Sequence, residues 1–171
     1  MKHTISVVME NKPGVLSRIS VLLARRGFNI HSITAGTTAN QSITRMTVVV
    51  EGEDNVAEEA AKQLEKLIDI IKVKRLNNNE STRRELILIK IKAGKAQRSE
   101  IIDLAKIMDC KIVDITHTTL MLEHSDRPEN IDVLVDLVSG YEVLEMARGG
   151  SIALQKGAGF VKPEPEDEDE D

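Results

Sequence analysis

The run Glu10-Asn-Lys-Pro-Gly-Val-Leu16 holds the residues of this chain best placed to act on a small ligand. It lies between residues 3–9, which alternate as a strand does, and Val15, Leu16, Ile19, Leu22 and Leu23, which recur at helical spacing. Pro13 suits a first helical turn, where its missing N–H costs nothing. Gly14 lets a ligand approach the main chain closely. The opening N–H groups of a helix carry partial positive charge, which suits a carboxylate. Asn11 adds a side-chain amide that both donates and accepts. Together these groups fit the α-carboxylate and α-amino group of a free amino acid. A plain turn leading into a helix has the same spacing, so the residues alone leave both readings open.

Hydrophobic spacing along the chain sets the elements that must hold this loop. Strands are expected at 3–9, 28–38, 43–51 and 70–76, with helices at 13–26 and 54–69. Gly27 closes the first helix, and Ala39-Asn-Gln-Ser42 makes a hairpin between the second and third strands. The order is β-α-β-β-α-β, a ferredoxin-like unit. Residues 78–84 open polar and read as a linker. The order then repeats, with strands at 85–92, 111–116, 119–123 and 141–147 and helices at 97–109 and 128–139. The expected fold class is α+β, with two ferredoxin-like domains at 1–77 and 85–160 and an acidic, disordered tail at 161–171.

Composition narrows the function. The chain has 171 residues and a net charge of −5, with two Phe, one Tyr and no Trp, so its cores must be aliphatic. Seven of the 28 acidic residues lie in 164–171, which leaves the rest close to neutral and without the basic surface that nucleic acid requires. An RNA-binding module of this topology would stack bases on strand aromatics, and residues 3–9 and 43–51 have none. Cys110 is the only cysteine, so no internal disulfide forms; beside Met108 and Ile112 it reads as a buried small hydrophobe. His3, His31, His117 and His124 show no ligand spacing, so no metal site is expected, and His117 is read at a strand turn. The absence of an apolar leader or a membrane-length run points to the cytoplasm. Domains of about 80 residues bury only a little over 60% of their unfolded surface. A two-layer unit also leaves one sheet face bare. Leu86 and Leu88 alternate with Ile87, Ile89 and Ile91, so that strand is apolar on both faces, and the sheets are expected to meet a partner, most simply another copy.

The motifs carry a resemblance. Asn11 to Leu16 followed by Gly27-Phe-Asn29-Ile30 resembles an ACT domain, the amino-acid-sensing module. Gly14-x-Leu16-Ser17-Arg18, Ser42-x-x-Arg45-Met46-Thr47 and Glu145-x-Ala147-Arg148-x-Gly150-x-x-Ala153-Leu154 extend it, over residues 2–157, to the small regulatory subunit of acetolactate synthase. That resemblance implies a non-catalytic partner of a large catalytic subunit, which itself holds thiamine diphosphate, Mg and FAD; no cofactor is expected in this chain. It implies activation of that subunit and feedback inhibition by valine or another branched-chain amino acid, bound between two ACT domains of a homodimer. Asn11, Gly14 and Asn29 match the family's effector contacts. Main-chain groups from Gly14 through Val15 to Leu16 would hold the carboxylate, and Leu16 or Ile30 would line the side-chain pocket. Such a pocket separates ligands by only about 1–3 kcal/mol per methylene, so the preferred amino acid is not ranked. The family commonly has Arg-Thr-Gly or Arg-Ser-Gly where this chain has Arg148-Gly149-Gly150, and Arg148 reads either as a contact to the large subunit or as a solvated side chain.

Two rivals use the same fold. An acylphosphatase-like hydrolase needs an arginine in the first loop, whereas Arg18 lies a full turn into the helix, and no Ser-His-Asp, Cys-His or paired-carboxylate set accompanies it. A free-standing ACT sensor of another enzyme or of a transcription factor fits the first half equally well; only the second half argues for acetolactate synthase.

Overall fold

A computed structural model gives the fold and describes residues 1–161. The elements run β1 (Lys2–Glu10), α1 (Val15–Arg25), β2 (Asn29–Thr37), β3 (Ile43–Glu51), α2 (Asp54–Glu65), β4 (Ile70–Leu76), β5 (Ser81–Lys92), α3 (Lys95–Ile107), β6 (Lys111–Ile115), β7 (Thr119–Asp126), α4 (Pro128–Val138), β8 (Val143–Arg148) and β9 (Ile152–Gln155). The first sheet has the order β2-β3-β1-β4 and the second the order β6-β7-β5-β8, with β9 paired to β5. The same β-α-β-β-α-β unit therefore occurs twice, as expected, within an α+β fold.

In the first unit Ile5, Val7, Met46, Val48, Val50 and Val73 turn one sheet face to Ile19, Leu23, Ala60 and Leu64 of the helices. The second unit packs Ile87, Ile89, Ile91, Leu120 and Leu122 against Ile101, Ala105, Ile131 and Leu134. Both cores are aliphatic because the strand alternation and the helical spacing put Ile, Leu and Val on facing surfaces.

The boundaries differ from the sequence expectation. Among the described residues the compact units are Met1–Thr82 together with 151–161, and Arg83–Gly150. The linker expected at 78–84 shrinks to a tight turn in which the Glu80 N–H and the Ser81 hydroxyl both donate to the Asn77 carbonyl (3.1 and 2.7 Å). Strand β5 already begins at Ser81, whose polar neighbours conceal a strand because it carries little apolar signal there. After Gly150 the chain rejoins the first unit: β9 lies beside β1, β3 and β4, and the Lys156 N–H donates to the Glu80 carbonyl (2.8 Å). Val161, expected to open the tail, is only 4% exposed and packs with Val8, Ile43 and Ile71. Its carbonyl accepts from Arg45 Nη2 at 2.8 Å. The first sheet's outer face is thus covered by the chain's own C-terminal segment, which corrects the expectation of a bare face there. The remaining acidic stretch, 162–171, lies outside the described residues.

Candidate functional site

Helix α1 starts at Val15, two residues later than Pro13 suggests, because Gly14 stands in the left-handed region (φ 84°) and cannot continue a helix. A side chain at this position would be strained, so glycine is required by conformation. The helix has no side-chain cap and no acidic residue in its first turn, which leaves its positive end without a local anion.

Asn11 is tied down twice. Its main-chain N–H donates to the Ser42 carbonyl (2.7 Å), and its Nδ2 donates to the Gln41 carbonyl (2.8 Å). The loop after β1 is thereby stapled to the β2–β3 turn. Leu16 is 47% exposed and free to meet a ligand. Val15 is not: at 2% exposure its side chain lies in the helix–sheet core, and its N–H reaches back to the Lys12 carbonyl (3.4 Å). Its side chain therefore packs with Ile19 and Leu22, and any part Val15 takes in the site falls to its main chain.

Asn29 and Ile30 open β2 at the other end of the sheet. Antiparallel register sets Asn29 opposite Glu51, and Glu51 opposite Lys2, whereas Glu10 faces Ile43. A nine-residue strand spans about 27 Å, so Asn29 and the Gly14 loop are that far apart in one chain. Asn29 Nδ2 donates to Glu51 Oε2 (2.9 Å), and Ile30 is half-buried against the core. A single chain does not bring the six expected residues together.

Two side chains beside the loop were not among the expected site residues. Arg18, four residues after Gly14 and therefore on its side of the helix, pairs through Nη2 with Asp69 Oδ2 (2.5 Å). A groove of about 370 Å³ runs along the same helix, lined by Ser17, Arg18, Val21, Leu22, Arg25 and Leu67. Lys12 pairs with Glu10 (2.6 Å), whose carboxylate holds the ammonium above the usual lysine range.

Elsewhere, Arg148 is engaged by two carboxylates. Its Nε donates to buried Glu85 (2.7 Å) and its Nη1 to Asp132 (2.6 Å). Burial pulls its pKa down, and the two carboxylates more than offset that. Burial also pushes the half-buried Cys110 thiol up to about 11, so it is a poor nucleophile at neutral pH. Among the described residues, no group of three or more His, Cys, Asp or Glu is placed to share a metal ion, and no helix is long and apolar enough to cross a membrane.

The sheet order, the two covering helices and the glycine-capped first loop define the first unit as a domain of the ACT class. Residues 5–72 match the family model described as the AHAS small subunit-like ACT domain, and residues 84–157 match that of the small subunit of acetolactate synthase. The chain belongs to the acetolactate synthase small-subunit family. It is 45% identical over 157 residues to the probable acetolactate synthase small subunit of Archaeoglobus fulgidus, covering 92% of this chain and 98% of that one. It is 40% identical to the acetolactate synthase small subunit of Mycolicibacterium smegmatis, over 91% of each. The crystal structure of the acetolactate synthase small subunit from Thermotoga maritima superposes with a TM-score of 0.86 at 31% identity, over 93% of this chain and 99% of that one.

Proposed function

We propose that the chain is the non-catalytic, regulatory subunit of an acetolactate synthase, which activates the catalytic subunit and makes it inhibitable by valine or a related branched-chain amino acid. The observation that carries this reading is the position of the two halves of the candidate site at opposite ends of an edge strand. Strand β2 borders the first sheet. A second copy pairing its own β2 antiparallel, about a two-fold axis, sets Asn29 and Ile30 of one chain against the Asn11–Leu16 loop of the other. The effector's carboxylate then meets main-chain groups at Gly14 to Leu16, the two asparagines hold its polar groups, and Leu16 and Ile30 enclose its side chain.

The second unit supplies the surface for the catalytic partner. Leu86 and Leu88 are exposed on the outer face of its sheet, beside a hollow of about 190 Å³ formed by Leu88, Lys90, Met121, Glu145, Met146 and Ala147. An exposed apolar patch edged with charge suits protein docking. Thiamine diphosphate, Mg and FAD would belong to that partner, and this chain supplies no group to the reaction. Reconstitution with the catalytic subunit tests the reading: acetolactate production should rise on adding this chain and fall again with valine, by a coupling of about 1–3 kcal/mol. Activation without any response to branched-chain amino acids would refute the effector role.

A further inference from the structure

We propose that Arg18 is an additional clamp for the effector's carboxylate and that Asp69 sets how strongly it grips. The proposal rests on the effector site described above and adds a residue to it. A Cβ placed on Gly14 would lie 3.6 Å from Arg18 Nη1, so this edge of the guanidinium borders the space that the glycine leaves open. The other edge, Nη2, holds Asp69 Oδ2. A planar guanidinium can hold one carboxylate on each edge.

The second unit provides the control within the molecule. Arg98 follows Gly94 by the same four residues as Arg18 follows Gly14, and each arginine N–H donates to its glycine carbonyl at 3.0 Å. Arg98 Nη2, however, turns back onto the carbonyls of Ala93 (3.3 Å) and Thr116 (2.5 Å). There the guanidinium staples the loop to the neighbouring hairpin. In the first unit Asn11 makes that staple, through Gln41 and Ser42, and Arg18 is released for Asp69. Lys12, the other cation at the loop, is already paired with Glu10 in solvent.

Asp69 is nearly buried, and its charge opposes a second carboxylate at Arg18. Asp69→Asn keeps an oxygen for Nη2 to donate to while removing that opposition. Calorimetry of the full chain with L-valine should therefore show opposite signs. Arg18→Gln should weaken binding about tenfold or more, the range for a charged hydrogen bond, and Asp69→Asn should tighten it about threefold. Asp54→Asn, which loosens the Arg75 pair elsewhere, should leave binding unchanged. If Arg18→Gln binds valine normally while Gly14→Asp does not, the clamp is wrong and the site stands. If Asp69→Asn weakens binding as Arg18→Gln does, the pair is structural and the clamp is overturned. If the unaltered chain binds no valine, both the site and the clamp fall.

Discussion

The two units share a fold and differ at the same two places. In the first, the helix after the opening strand is capped by a left-handed glycine, and its loop is held from the side by Asn11. In the second, Gly94 has an ordinary extended backbone (φ −69°, ψ 171°), and Arg98 closes the loop onto its own carbonyls. The outer faces differ as well: residues 151–161 cover the first sheet, while Leu86 and Leu88 remain exposed on the second. One unit therefore keeps its loop open and its sheet face closed, and the other does the reverse. In the function proposed above, the small ligand belongs to the first unit and the protein partner to the second.

Exchanging substitutions between equivalent positions tests that assignment. Gly14→Asp places a carboxylate where the effector's own must sit and strains a left-handed position by about 1–2 kcal/mol. Valine inhibition should drop about 100-fold or more while activation of the catalytic subunit persists. Gly94→Asp, in ordinary backbone with nothing within 4 Å of its Cβ, should leave inhibition unchanged and alter stability by only about 0.5 kcal/mol. Equal loss from both would erase the distinction between the loops.

The outer faces give the next effect. Val161→Asp buries a charge against Val8, Ile43 and Ile71 and should cost about 2–4 kcal/mol in denaturant unfolding. Leu88→Asp, at 37% exposure, should cost the free chain only about 1 kcal/mol yet weaken activation of the catalytic subunit. A stable Val161→Asp chain would mean that the C-terminal segment is not a true cover.

Smaller effects come from the ends of the matching helices. Gly27 (φ 69°) follows α1 and Asp109 (φ 54°) follows α3, and both ends close with the same six-residue hydrogen bond, Phe28 to Leu23 and Cys110 to Ala105. Gly27→Ala should destabilise by about 1 kcal/mol, and Asp109→Gly should stabilise by about 0.5–1 kcal/mol. The least effect is an acid sensitivity at Asp126 of the second unit. Asp126 accepts from Asn130 Nδ2 and from the Arg127 N–H, which hold its carboxyl below the usual range. A depressed folded pKa adds stability above the unfolded value, near 3.9, and loses it as pH falls through the folded one. Asn130→Ala should therefore lower stability at pH 6 and matter less at pH 2; a deficit that grows in acid would contradict the sign.

Much of the fold was legible because aliphatic residues recur with clear periods in both halves. Strand β9 and the cover over the first sheet were not. Thr4 and Ser6 alternate with Ile5 and Val7 as a solvent-facing row would, yet both are buried. Their polarity conceals a contact made by residues almost 150 positions away in sequence. The loop at Asn11–Leu16 was legible through Gly14, but the exposure of Leu16 beside buried Val15 was not, because the apolar face read from the sequence included both. The pairs of Arg148 with Glu85 and Asp132 were not legible either, because those partners are distant in sequence.

The central claim, that the site needs the loop of one chain and the Asn29 end of another, is tested most directly by mixing two defective chains. Gly14→Asp and Asn29→Ala homodimers should each fail to bind valine. Unfolded together and refolded, they should form mixed dimers in which one of the two sites is intact, and calorimetry should recover about a quarter of the full number of sites. No recovery on mixing, with both chains folded and dimeric, would contradict a site shared between two copies.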